Sequence, residues 1–147
     1  TTIVQREIND SYTMVNLTGN NTGGISGYNY GKITNTYTTN TNGAGITHTN
    51  YTNCREYSHE VDSGIIQNSF SLNETAINNS CKSYWYMGST TTEYGTIINT
   101  IVNPDPNYLT DNNQQPFLVW DFNNTWKMDG ITKKALEVET YPILQWE

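Results

Sequence analysis

Charge is scarce in this chain: Asp, Glu, Lys and Arg make up 14% of its 147 residues, against about 25% in an ordinary soluble domain. Helix formers are scarce too, with six Leu, three Ala and five Lys, and that shortage excludes a helical bundle. The seven Lys and Arg are not gathered on one stretch, within a net charge of −7. Nucleic acid and anionic membrane surfaces, which need clustered cations, are therefore excluded as partners. No apolar run reaches the ~18 residues of a membrane span. The chain opens on Thr1 rather than Met, which reads as a processed mature form or an excised fragment, from which a secretion signal could already have been removed.

What is present is Asn (21), Thr (23), Tyr (11) and Trp (4). The β-branched and aromatic content predicts a folded, all-β domain. The length suggests one domain with a real core.

A repeat organises the chain. Gly31-Lys32-Ile33-Thr34-Asn35-Thr36-Tyr37-Thr38 recurs as Gly64-Ile65-Ile66-Gln67-Asn68-Ser69-Phe70-Ser71 and as Gly95-Thr96-Ile97-Ile98-Asn99-Thr100-Ile101-Val102. A weaker copy begins at Arg6, with Ile8 in the Ile position and Asp10 in the Asn position. Starts at 6, 31, 64 and 95 fit one supersecondary unit per copy, with insertions of variable length at a corner. Stacked in register, the copies predict two columns on one strand face: Ile8, Ile33, Ile66, Ile97, then Tyr12, Tyr37, Phe70, Ile101. Asp10, Asn35, Asn68 and Asn99 are expected to form an amide ladder at the bend of each coil. The fold class expected is therefore a parallel β-solenoid of about four irregular coils over residues 1–103.

Residues 104–147 break the repeat and hold all four Pro and three of the four Trp. They read as a C-terminal aromatic cap of the same domain, with Phe117, Leu118, Trp120, Phe122, Trp126, Ile143, Leu144 and Trp146 expected to cover the last coil. An open end remains at the other side. It predicts self-association through solenoid ends, or a longer parent chain that continues the stack.

The stretch Gly24-Ile25-Ser26-Gly27-Tyr28-Asn29-Tyr30-Gly31-Lys32-Ile33-Thr34-Asn35-Thr36-Tyr37 resembles the GLUG repeat, with Ser26 in place of its second hydrophobic residue. The tail, from Trp120 to Asp129 and from Tyr141 to Trp146, resembles the segment that closes GLUG arrays in large microbial surface proteins. The resemblance implies a right-handed parallel β-helix from an exported, surface-attached or adhesin-like protein, with filamentous haemagglutinin-like proteins as broad relatives. It implies no catalytic residue.

Candidate chemistry is sparse. Cys54 and Cys81 can form one disulfide across a loop of roughly 27 residues, or stand as two buried thiols. His48 and His59 flank Cys54 without a third orienting group, so no metal site or nucleophile is assigned there. Asp105, Asn107, Asp111, Asn112 and Asn113 offer oxygen ligands without EF-hand order and read as a solvated loop. Asp121, Asp129, Glu137 and Glu139 contain no nominated glycosidase pair. The sequons at Asn16, Asn20, Asn50, Asn73, Asn78 and Asn123 are candidate N-glycosylation sites, whereas the one at Asn9 falls in a repeat core and is expected to stay bare. Tyr84, Trp85 and Tyr86 form a candidate glycan platform. The function expected is that of an extracellular structural or adhesive β-solenoid module of a microbial cell-surface protein or self-assembling filament, without catalysis or cofactor, the alternative being a glycan-binding surface module.

Overall fold

The computed structural model describes residues 6–14, 17–19, 22–40, 44–50, 64–72, 77–79, 96–103, 105–128 and 141–147. Cys54, Cys81, His59, Tyr84, Trp85, Tyr86, Asn16, Asn20 and Asn73 lie outside these residues, as do Asp129, Glu137 and Glu139. The described residues are all-β, with two short 3-10 turns, Pro106–Thr110 and Phe117–Val119, and no α-helix.

The repeat copies form one parallel sheet. Its first row is β1 (Glu7–Thr13) and its second is β3 (Lys32–Thr38). The third row is β5 (Ile65–Gln67) with β6 (Phe70–Ser71), and the fourth is β8 (Thr96–Ile98) with β9 (Ile101–Val102). Ile8 pairs with Ile33, Ile33 with Ile66, and Ile66 with Ile97. Tyr12, Tyr37, Phe70 and Ile101 pair in the same way. Each row bends at its Asp or Asn, because Asp10, Asn35, Asn68 and Asn99 all take left-handed φ angles of 45–52°. Asn and Asp are the side-chain-bearing residues that enter this region most readily. Around the bend, the hydroxyls of Ser11, Ser69 and Thr100 each donate to the carbonyl two residues earlier, at 3.0, 2.8 and 3.1 Å. That bond accounts for the Ser or Thr after the bend in three of the four copies, whereas in the second row Thr36 Oγ1 donates to Ser69 Oγ at 3.1 Å.

The bend also corrects an expectation. Ile33 and Tyr37 were expected on one strand face, but a left-handed residue between them interrupts the alternation. Ile33 and Ile66 instead pack with Ile46 and Ile25 in one cluster, while Tyr37 and Phe70 belong to a second cluster built with the C-terminal segment. Thr38, next to Tyr37 and on the opposite face, points at Gly24, where an added Cβ would stand 2.3 Å from its Oγ1.

A second parallel sheet joins β2 (Ser26–Asn29), β4 (Thr47–Asn50) and β7 (Ile77–Asn79). Ser26 pairs with Thr47, Tyr28 with Thr49, and Asn29 with Asn50, which in turn pairs with Asn79. This sheet carries a further repeat, distinct from the one that organises the larger sheet: Gly24-Ile25-Ser26-Gly27-Tyr28-Asn29 against Gly45-Ile46-Thr47-His48-Thr49-Asn50.

The described residues of the C-terminal segment do not lie across the last row. They run along the flank of the first sheet, over the aromatic column. Trp120 and Trp126 pack on each other with centroids 4.4 Å apart, and both lie against Tyr37. Tyr108 stacks on Phe70 at 5.2 Å, while Tyr12 stacks on Tyr37 at 5.1 Å. The antiparallel pair β10 (Trp126–Met128) and β11 (Pro142–Leu144) brings the Pro142 carbonyl to the Tyr37 hydroxyl at 2.7 Å. Of the eight residues expected in a cap, Leu118 and Trp146 are instead exposed. An aromatic column with one open face is better covered lengthwise than at its end, since every row then gains a ring contact.

Candidate functional site

The end rows and one corner of the stack are where the described residues meet solvent in a patterned way. In the second and third rows Ile33 and Ile66 are fully buried. In the end rows the same column is open: Ile8 is 38% and Ile97 41% exposed, with Ile98 and Val102 exposed beside Ile97. Among the described residues no strand pairs with the outer edges of β1 or of β8 and β9. Unpaired edges of this kind template further strands unless they are blunted.

The two edges differ in chemistry. The fourth row from Thr96 to Val102 contains no charged residue. The first row carries Arg6 where the later copies have Gly, and Glu7 and Asp10 besides. The Gly position is tight. Lys32 N–H donates to the Arg6 carbonyl at 2.8 Å, and a Cβ added to Gly31 would stand 2.1 Å from that oxygen. The second row therefore lies on the first with its bare backbone at this position. The Asn position has its own polarity: Asn35 Nδ2 donates to Asp10 Oδ1 at 3.2 Å, and Asn99 Nδ2 to Asn68 Oδ1 at 3.5 Å. Asn35 and Asn99 thus donate toward the preceding row, whereas Asn35 Oδ1 is buried and accepts no hydrogen bond among the described residues, so the expected ladder is interrupted between the second and third rows.

One corner joins the two sheets. In the second row Tyr30 and Gly31 make the connection. Segments 51–63 and 80–94, outside the described residues, leave from Asn50 and Asn79, which are partners in register. Asn29 Nδ2 donates to Asn50 Oδ1 at 2.9 Å and Asn50 Nδ2 to the Gly64 carbonyl at 3.1 Å, so amides brace the corner. Tyr28 and Tyr30 are half-exposed there, with the His48 ring edge-on to Tyr28. His48 Nδ1 also lies 2.9 Å from Thr49 Oγ1.

The corner overturns one expectation about modification. Asn50 is fully buried with both amide atoms bonded, so its side chain cannot carry a glycan in the folded chain. Asn123 is exposed. Asn9, expected to lie in a repeat core, is exposed on the edge row. Asn78 lies in β7.

The acidic loop serves its own backbone. Asp105 accepts from Asn107 N–H at 2.9 Å and caps the first 3-10 turn, while Asp111 accepts from Asn113 N–H at 2.8 Å. Asp121 organises the turn before β10. The Asn124 amide, with the backbone N–H groups of Asn124 and Asn123, holds its carboxyl below the usual range. Among the described residues no group of three His, Cys, Asp or Glu side chains is placed to hold a metal ion, and no helix is long and apolar enough to cross a membrane.

Comparison of the chain with family models, curated proteins and solved structures gave no match.

Proposed function

We propose that the chain is a non-enzymatic, extracellular parallel β-solenoid, a structural or adhesive module of a microbial cell-surface protein or assembly. Four rows of the larger sheet correspond to about four irregular coils, right-handed as the GLUG resemblance implies. The second sheet is the opposite wall, and the C-terminal segment is the aromatic cover. The observation that carries this reading is the unbroken register of Ile8, Ile33, Ile66 and Ile97. Rows that repeat in register make a rod whose core is a column rather than a cavity.

Such a rod works by display. The two longest interruptions of the repeat, 51–63 and 80–94, are anchored at one corner on adjacent rows. That arrangement supports presentation of loops to a surface, and segment 80–94 contains Tyr84, Trp85 and Tyr86. The half-exposed Tyr28 and Tyr30 at that corner favour a glycan as the second reading, because sugar rings pack on exposed aromatic faces.

The test replaces residues 80–95 with Tyr-Gly, the connection used in the second row, and measures binding to immobilised glycans and extracellular-matrix proteins. The reading expects an unchanged melting curve and lost binding. Wild-type chain that binds neither class, or a shortened chain that binds equally well, overturns the adhesive role. Trp85→Ala separates the two readings: lost glycan binding without unfolding places recognition on that side chain.

A further inference from the structure

We infer that the solenoid is one-ended: Arg6 and Asp10 block addition of another copy beneath the first row, and the uncharged fourth row pairs with the fourth row of a second copy. This rests on the solenoid reading above.

Head-to-tail growth would lay the first row of one copy on the fourth row of another. Two positions refuse it. At the Gly position a stacked row needs no Cβ, because the carbonyl beneath would stand about as close as Arg6 O does to the position of a Gly31 Cβ, 2.1 Å. Arg6 brings a Cβ and a long side chain to that point. At the Asn position the second and fourth rows each donate an amide hydrogen to the row beneath. Asp10 has none to donate. Its Oδ1 already accepts from Asn35 Nδ2 and from Trp126 Nε1 at 3.0 Å, and its remaining oxygen would face the Asn99 carbonyl oxygen, acceptor against acceptor. The degeneracy of the first copy is thus the set of changes that an end row tolerates and a buried row does not.

The fourth row has no such device. Thr96, Ile97, Ile98, Thr100, Ile101 and Val102 are uncharged, and Ile97, Ile98 and Val102 are exposed. Its left-handed residue, Asn99, is central, with three residues on either side. Antiparallel pairing about a two-fold axis through Asn99, normal to the sheet, sets bend against bend, Ile97 against Ile101 and Thr96 against Val102. Such an isologous contact closes at two copies. It also joins the chains at their uncharged edges, where the repulsion between two copies of net charge −7 is least.

The test is sedimentation velocity on the full chain over a concentration series, with the Ile33–Ile66 methyl contact measured by NMR on the same sample. The expected result is a monomer–dimer equilibrium without larger species. Thr96→Lys and Ile98→Lys, both on exposed residues, should weaken the dimer about tenfold or more. Arg6→Gly with Asp10→Asn should produce open-ended polymers. Wild-type filaments, a chain monomeric at every concentration, a dimer indifferent to both lysines, or a double variant that does not polymerise would each overturn the inference. Absence of the Ile33–Ile66 contact would instead overturn the solenoid beneath it.

Discussion

The indole Nε1 of Trp126 donates to the carboxylate of Asp10 at 3.0 Å, joining residues 116 apart in sequence. Nearby, the Tyr12 hydroxyl donates to the Glu147 carboxylate at 2.5 Å. The C-terminal segment is thereby tied to the first row, after contacting the third through Trp120 Nε1 and the Asn68 carbonyl at 2.8 Å. A stack of rows is quasi-one-dimensional and tends to fray from its ends. A strap bonded to rows one and three opposes that fraying.

Trp126→Phe keeps a ring in the fully buried site but removes the donor to Asp10. Hydrogen bonds to charged groups are worth about 1.5–3 kcal/mol, so urea unfolding should report a loss in that range. Asp10→Asn, which retains an oxygen acceptor, should cost much less.

Ile66 lies fully buried between Ile33 and Ile97. Ile66→Ala should cost about 2–5 kcal/mol by leaving a cavity in the column. Ile66→Asp should leave the chain unfolded at neutral pH, since a buried unpaired carboxylate costs several kcal/mol more. Circular dichroism and denaturant titration read both.

At Asn35, φ is 52°. Asn35→Ala should cost about 1–2 kcal/mol, because alanine resists the left-handed region. Asn35→Gly, free of that strain but without the bond to Asp10, should lose less. Equal losses would show that the side-chain bond, and not the backbone conformation, sets the cost.

Tyr141 is fully buried, its hydroxyl has no hydrogen-bond partner among the described residues, and burial pushes its pKa up to about 12 from 10. A raised folded-state pKa means that the unfolded chain releases its proton first. Its contribution to stability is therefore complete below pH 10 and falls away as pH rises toward 12. Tyr141→Phe should remove that component of the alkaline decline. At pH 7 it should remain within about 1 kcal/mol of wild type, because the lost hydroxyl is unsatisfied.

Produced in a glycosylating host, the chain should carry no glycan at Asn50, which is buried, while exposed Asn123 is accessible to modification. Glycopeptide mass spectrometry decides this. Occupancy at Asn50 in folded chain would contradict the braced corner.

Much of the larger sheet was legible because stacking in register forces the same residue type into each row. Ile33, Ile66 and Ile97 announced a column, and the Asn positions announced the bend. The sequence did not reveal that the bend sends Ile33 and Tyr37 into different clusters, because a left-handed residue breaks the alternation by which faces are assigned. The second sheet was missed because its repeat is short, and segment 51–63 separates Asn50 from the next Gly. The course of the C-terminal segment was illegible for a different reason. Packing of Trp120 and Trp126 on Tyr37 is set by shape and leaves no period in the sequence.

The most direct test of the stacked column is methyl NMR on chain labelled at isoleucine. Cross-relaxation should connect Ile33 with Ile66 and Ile66 with Ile97, rows about 4.8 Å apart, and leave Ile33 and Ile97 unconnected. Absence of both neighbouring contacts, or a direct contact between Ile33 and Ile97, would contradict the stack.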